Sequence, residues 1–269
     1  MRTAARAMFL TASLAVLSAG VAGCSRRRPV ERLEWTSMGT VAAVQLRGET
    51  ATAEAPRVRD AVQGVFRRVE GEFSRFDANS VLRRTGRVSS FGEPCAAAAR
   101  ALCAASKGAF NPFWRGADEP ADYGAIAKGF AVDLAAEAVA ALDDVKADVL
   151  VDLGGNLKAV RGTWRTGVLD PRDGGVAETL ELRAGEALAT SSECFRGKHI
   201  HDGRTGRPVS NDVASVTVKC PSALWADGLS TTLFVLGQED GRRFLETGLP
   251  TEAPRPASAR WIPCARPRP

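Results

Sequence analysis

Three stretches of the chain carry residue types whose spacing could do chemistry. Residues 122–133 read DYGAIAKGFAVD, with Gly124 and Gly129 bracketing a small apolar run that holds Lys128. Small residues let a backbone approach a ligand closely, and the first N–H groups of a helix favour an anion. A lysine beside such a loop suits a phosphate or a carboxylate; a tightly packed loop–helix junction with a solvated lysine fits the same letters. Residues 226–231 read ADGLST. Asp227 and Thr231 are four apart, which places them on one helix face with Cβ atoms about 5–6 Å apart. A carboxylate and a hydroxyl so placed can share one hard cation, and oxygen ligands with room for water and phosphate suit Mg²⁺. An aspartate near a helix start beside a surface threonine is the plainer reading. Residues 198–206, KHIHDGRTG, hold both histidines of the chain, His199 and His201. A histidine beside Asp202 and Arg204 could be a general base or a phosphate contact, and a polar hairpin loop has the same composition.

These side chains need elements to hold them. Phe130, Leu134, Ala138 and Leu142 recur every four residues, so the loop at 122–129 feeds a helix with that face buried. Val58, Val62, Phe66, Val69 and Phe73 predict an amphipathic helix over 57–73. It ends in the polar loop FSRFDANSVLRRT, with Phe76 in its middle. A second helix is predicted over 94–106, followed by an aromatic-rich turn at 108–114. Residues 33–47 read as a strand pair broken at Met38, Gly39 and Thr40. A buried strand at 148–153 ends in the tight turn Gly154–Gly155, and strands follow at 157–160, 164–169, 178–182 and 187–191. In 213–219, Val216 and Val218 alternate inward with Thr217 and Lys219 outward. A helix is predicted from near Leu224 to Gly237, and the Pro/Arg-rich tail beyond Pro250 reads as irregular or disordered. The chain shows no internal repeat.

Residues 1–23 combine Arg2 and Arg6 with an apolar run and small residues before Cys24. This is the pattern of a secretory signal, too short and wrongly flanked for a transmembrane helix. The net charge of +5 comes mostly from arginines near the two ends, with no basic stripe interleaved with aromatics, which argues against nucleic acid. After Cys24, Cys95, Cys103, Cys194, Cys220 and Cys264 form no CxxC pair and are odd in number. That excludes a complete disulfide framework and argues against zinc. On a helix, Cys95 and Cys103 would lie about 12 Å apart along the axis, too far to bridge, and they read as small buried residues.

The order of the motifs resembles the ApbE family of flavin transferases, periplasmic lipoproteins that move FMN from FAD onto a Thr or Ser of a target protein. The resemblance rests on Met38-Gly39-Thr40, FSRFDANSVLRR, DYGAIAKGFAVD, Gly154-Gly155, Thr190-Ser191-Ser192, HIHDGRTG and ADGLSTTLFVLG, and runs over about residues 33–245. It implies an α+β domain over 33–249, with a mixed or antiparallel sheet core and packed helices, ApbE-like and T-fold-related. Val21-Ala22-Gly23-Cys24 resembles a bacterial lipobox, implying a signal peptide at 1–23, a lipid on Cys24 and a basic tether over 24–32. The Pro/Arg-rich tail would occupy 250–269.

By the same resemblance, Mg²⁺ would be held by the side chains of Asp227 and Thr231 and the backbone carbonyl of Ala125. Asp122 and Lys128 would contact FAD, with the ammonium near the pyrophosphate. Met38 and Phe76 would line the flavin site, and Ala109, Phe110 and Asn111 would border it. His199 is implied as a nucleotide contact and possible base, and it stands with Asp227 as a catalytic residue. The implied partner is a periplasm-facing subunit of an Rnf-type or sodium-translocating NADH:quinone reductase complex. A non-catalytic FAD-binding carrier or scaffold, and a pyrophosphatase giving FMN and AMP, are the alternative functions.

The chain also departs from the family pattern. Gly203 stands where the family has Pro, His201 where it has an apolar residue, and Ser192 where it has Gly. Gly228 replaces Ala, at a helix cost of about 1 kcal/mol. Only residues 115–121 separate Trp114 from Asp122, a short connection that implies less wall on the adenine side.

Overall fold

The alternating hydrophobic runs pair into sheets and the longer periodic runs form helices, as the periods require. The computed structural model describes residues 30–116, 118–193 and 197–264. The expected signal segment at 1–23, the expected lipid site Cys24, and Cys194 lie outside the described residues. In chain order the elements begin with β1 (Val30–Ser37) and β2 (Thr40–Arg47), then α1 (Ala51–Phe73), α2 (Val81–Thr85) and α3 (Glu93–Ala105). Next come α4 (Ala127–Ala140), β3 (Asp148–Leu153), β4 (Asn156–Arg161), β5 (Thr163–Leu169), β6 (Val176–Arg183) and β7 (Ala187–Ser192). The chain continues through β8 (His201–Asp202), β9 (Arg207–Pro208), β10 (Val213–Cys220), α5 (Ala223–Thr247) and β11 (Ser258–Pro263).

Seven strands form one sheet in the order β1-β2-β3-β4-β7-β10-β11, and every neighbouring pair is antiparallel. The α+β expectation holds, and the sheet is antiparallel rather than mixed. Helices α1, α4 and α5 cover one face over a core that includes Val44, Phe66, Leu102, Ile126, Leu153, Val218 and Leu233. The β5–β6 hairpin covers part of the other face and closes a second core of Leu150, Ala159, Trp164, Leu182 and Leu188.

Two tight turns sit side by side at one end of the sheet. Met38 and Gly39 both take left-handed backbone angles, φ 47° and 69°, as a two-residue hairpin turn of this hand demands. Methionine pays a steric cost there that glycine does not. The Gly154–Gly155 turn abuts it: Gly154 N donates to Val41 O at 2.9 Å, and a Cβ on Gly154 would come within 2.5 Å of Thr40 Oγ1.

Several expectations need correction. Helix α1 starts at Ala51, because buried Ala51 and Ala55 seat its first turns even though Pro56 forfeits one backbone bond. Within the polar loop, Ser80 accepts from Arg83 N and caps the short helix α2. The buried side of α4 is Ala127, Ala131, Val132, Ala135, Ala136 and Val139 together with Phe130, while Leu134 is only partly buried. The helix is enclosed on much of its girth, so a single four-residue stripe does not describe it. Thr217 is buried, not outward, and its hydroxyl shares a 2.8 Å hydrogen bond with Thr190 on β7. Helical backbone resumes after Gly237, whose φ of 76° breaks α5, and runs to Thr247. Asn211 caps the first half by donating to Phe234 O at 2.7 Å. Part of the tail is ordered as β11, which pairs along β10. Cys95 is buried as expected, whereas Cys103 is only partly so.

Candidate active site

Helices α4 and α5 cross where their sequences are smallest. A Cβ on Gly129 would lie 2.2 Å from Ala223 O and 2.7 Å from Asp227 Cβ, so only glycine permits this approach. The crossing is closed by two carboxylates acting in opposite directions. Asp133 of α4 accepts from Ala223 N and Leu224 N at 2.9 Å each, and from Ser222 Oγ at 2.7 Å, at the start of α5. Asp227 of α5 accepts from Gly129 N at 2.9 Å, in the first turn of α4. Each helix thus satisfies free N–H groups of the other, a favourable use of a negative charge at a helix N-terminus.

Part of the helix start at 126–129 is therefore already committed. Ala127 N donates to Tyr123 O and Gly129 N to Asp227, so the first turn of α4 points at the aspartate rather than lying open to an anion. The consequence for the loop is specific. Gly129 N would bond the Ala125 carbonyl in a continuous helix; its diversion to Asp227 leaves that carbonyl for another partner.

Lys128 supplies the positive charge. Its Nζ lies 3.5 Å from Asp227 Oδ2 and donates to Gly124 O at 3.1 Å. Asp227 is 5% exposed, and Lys128 is its ion-pair partner among the described residues. One turn along α5, Thr231 Oγ1 is 3.0 Å from Ser191 Oγ, which also lies 2.9 Å from Ser230 Oγ. Ser230 in turn donates to Asp227 O at 2.9 Å. Buried Ser191, at the end of β7, therefore ties Thr231 to the sheet. Cys95 is packed into the core behind; burial, and secondarily the nearby Asp227 charge, pushes its thiol far up, which keeps it unreactive.

The outer wall is made of loops. Asp122 Oδ2 lies 3.5 Å from Nε of both Arg75 and Arg115, and its Oδ1 accepts from Gly124 N at 3.0 Å. One carboxylate thus ties the α1–α2 loop to the 106–126 connection and braces that connection internally. Phe76 is 84% exposed, with the Arg75 guanidinium 4.3 Å over its ring. Met38 packs at the edge of the main core. Ala109 and Phe110 are buried, so their side chains face the core and not a cleft. Asn111 donates to Gly203 O at 3.2 Å, and Gly203 N donates to Ala109 O at 3.1 Å. These bonds dock the histidine loop on the 108–116 turn.

His199 is exposed on that loop, and its Nδ1 is 2.8 Å from Gly197 O. A carbonyl can only accept, so Nδ1 carries a proton, and in the neutral ring Nε2 is the acceptor.

The structure thus brings Lys128, Asp227, Thr231 and the Ala125 segment to one helix junction. It places Asp122, Phe76, Asn111 and His199 on the loops around it. Asp133, Ser191, Arg75 and Arg115 were not assigned roles from the letters. Asp133 closes the 122–133 block, and Ser191 sits in the Thr190-Ser191-Ser192 motif, but their partners are far away in sequence. A separate surface concavity of about 580 Å³, lined by Asn211, Gly237, Glu239 and Asp240 among others, opens at the break in α5 and holds none of these residues.

Fold and site together define a class: an antiparallel α+β domain with an oxygen-rich helix crossing, a buried aspartate paired with a partly buried lysine, and a rim of arginines and aromatics. The chain belongs to the ApbE family, whose model matches residues 114–253. It is 37% identical over 134 residues to an FAD:protein FMN transferase of Rhodobacter capsulatus, and 34% identical over 142 residues to one of Treponema pallidum (strain Nichols). Those matches cover 45% and 44% of this chain but only 25% and 38% of the relatives' own lengths. Among solved structures, the flavin transferase ApbE from Vibrio cholerae superposes with a TM-score of 0.70 at 22% identity, covering 88% of this chain and 98% of that one. The apo flavinyl transferase ApbE of Pseudomonas stutzeri gives 0.71 at 24% identity, covering 90% and 93%. These likenesses carry the fold.

Proposed function

We propose that this chain transfers FMN from FAD to a Thr or Ser hydroxyl of a target protein and releases AMP. The observation that carries the reading is the helix crossing in a member of this family, where Asp227 meets Lys128 and Gly129 N, with the Ala125 carbonyl left by its helical donor and Thr231 one turn further along α5. The donor set fits Mg²⁺: a carboxylate, a hydroxyl and a released backbone carbonyl are all hard oxygen ligands. Among the described residues no cluster of three or more His, Cys, Asp or Glu competes as a metal site. When bound, the cation would neutralise pyrophosphate charge and favour attack at phosphorus.

The chain's own residues do the rest. Lys128, held beside Asp227 and Gly124, offers its ammonium to the pyrophosphate oxygens. Phe76 and Met38 bound the flavin side, and Arg75 and Arg115, drawn together by Asp122, add positive charge at the rim. His199, with Nδ1 committed to Gly197 O, takes the acceptor hydroxyl proton on Nε2. The hydroxyl oxygen bonds to the FMN-side phosphorus, the P–O bond to the AMP phosphate breaks, and AMP leaves with the electron pair. Positioning and charge stabilisation supply most of the rate, and the base adds a smaller factor.

The reading includes a lipid on Cys24 and a site facing the periplasm, with a subunit of an Rnf-type or sodium-translocating NADH:quinone reductase as acceptor. No helix among the described residues is long and apolar enough to cross a membrane, so attachment would rest on that anchor. The test is the intact mass of acceptor domains incubated with residues 25–269, FAD and Mg²⁺, against an EDTA control. A metal-dependent gain equal to FMN minus water, with AMP released, supports the reading. FAD retained intact across several acceptor domains would replace it with a flavin-binding role; FMN and AMP without acceptor labelling would select pyrophosphatase activity.

A further inference from the structure

The loop carrying His199 is held by contacts that the family pattern does not have. His201 stacks on Trp114 with ring centroids 4.1 Å apart and planes 13° from parallel. Its Nδ1 is 3.1 Å from His199 O, so it donates there. Trp114 also carries the Arg115 guanidinium, 4.4 Å from its ring, and Arg115 reaches Asp122. Gly203, two residues on, makes the docking possible. A Cβ there would lie 2.3 Å from Asn111 Cβ and 2.5 Å from Gly108 O, and the N–H it contributes bonds Ala109 O. A proline at this position would lose that bond and clash. Trp114, Arg115, His201 and Gly203 therefore form one device, in which a direct ring stack anchors the histidine loop on the turn.

We propose that His201 is a positioning residue for His199: stacked on Trp114, it holds the His199 carbonyl and thereby fixes the loop that presents the His199 ring. The catalytic half of this inference rests on His199 acting as the base. The fixing of the loop does not.

Three substitutions separate the contacts. His201→Ala removes both; His201→Asn keeps a donor near the Nδ1 position; His201→Phe keeps the stack. Transfer kinetics are measured with FAD and the acceptor domain varied, alongside hydrogen exchange of the amides in residues 197–206. We expect His201→Ala to lower kcat about tenfold with KM for FAD unchanged, the size of one hydrogen bond and one ring stack together. Asn and Phe should each recover part of the loss, and exchange in the loop should quicken about tenfold in the Ala variant. Variants within twofold of wild type in both kcat and exchange overturn the inference. A change in KM for FAD alone also overturns it, because it would make His201 a substrate contact. If the wild-type chain transfers nothing, the reading of function fails on its own; unchanged loop exchange in His201→Ala would then overturn the positioning role, and faster exchange would support it.

Discussion

Gly129→Ala tests the crossing on which the site is built, and the intrinsic preference of the residue points the wrong way. Alanine in a helix interior is favoured over glycine by about 1 kcal/mol. The new Cβ, however, would meet Ala223 O at 2.2 Å and Asp227 Cβ at 2.7 Å, where ordinary contact begins near 3.4 Å. The first obstacle is backbone, so no side-chain rotation relieves it and the helices must separate by about 1 Å. Overpacking of this kind costs about 1–3 kcal/mol. Separation also stretches the bond from Gly129 N to the Asp227 carboxylate, which is worth about 1.5–3 kcal/mol as a charged hydrogen bond. The net effect is a loss of about 2–4 kcal/mol, and for a domain of this size a fall in Tm of roughly 5–15 °C. The assay is urea and thermal unfolding of Gly129→Ala beside Gly228→Ala. At Gly228 the nearest atom to a new Cβ is the tip of Leu102, at 2.5 Å, which can move. That variant should lose less than about 1 kcal/mol, since the closeness of Leu102 offsets the propensity gain. A Gly129→Ala protein as stable as wild type would show that the crossing is not tight, and the account of how Asp227 is held would fall with it.

Other outcomes follow from the same contacts. Asp227→Asn keeps an acceptor for Gly129 N but loses the charge that strengthens that bond and pairs with Lys128, so stability should fall by only about 1 kcal/mol while transfer falls about a hundredfold or more; transfer near the wild-type rate would refute the metal role proposed for Asp227. The Ala variant is a poorer probe, since it also removes the bond across the crossing. Asp133→Ala deprives Ala223 N, Leu224 N and Lys158 of their shared partner and should cost about 3–5 kcal/mol in chemical denaturation, more than Ser222→Ala at about 1. Asp152 sits partly buried on β3, and desolvation raises its carboxyl from 3.8 to about 6 despite a bond from Gly155 N. A raised folded value means that stability is fully present below pH 3.8 and lost as pH rises through 6. The full gap corresponds to ~3 kcal/mol, and partial solvent contact reduces it to about 1–2. Asp152→Asn should therefore raise Tm at pH 7.5 and lose that advantage below pH 4; an equal gain at both ends would refute the titration.

The periodic parts of the fold were legible because they bury one face. The Val58 to Phe73 stripe, the β3 run and the turns at Gly39 and Gly154 all report local constraints that the sequence states directly. The failures share a cause, which is burial from a second side. Thr217 alternates as an outward residue, yet Thr190 on the neighbouring strand gives its hydroxyl a partner and the sheet is covered there. Helix α4 lacks a single stripe because α1, α5 and the sheet all pack on it. In the tail, β11 has no strong pattern of its own; it forms because β10 offers an edge and the buried Ile262 a place on it. Gly237 predicts the end of a helix for a sound local reason, and the chain does break there, but helical backbone resumes behind Asn211's cap.

The candidate site shows a different relation between letters and chemistry. The two most informative blocks, 122–133 and 226–231, invite reading as ligand loops, and their first role is to fit each other. Gly129 and Asp133 are four apart on α4; Ala223 and Asp227 are four apart on α5. In each helix a small residue sits one turn before an aspartate, and each aspartate bonds the N-terminal turn of the other helix. The spacing that suggested a metal pair from Asp227 and Thr231 is thus shared with the spacing that makes the crossing. The two requirements support one another. Because Asp227 takes the Gly129 N–H, the Ala125 carbonyl is released from the helix, and one turn further along α5 Ser191 fixes the Thr231 hydroxyl to β7. A crossing too close for any residue but glycine is therefore what brings Asp227 against the 124–129 segment, where its carboxylate meets both the Gly129 N–H and the partly buried Lys128.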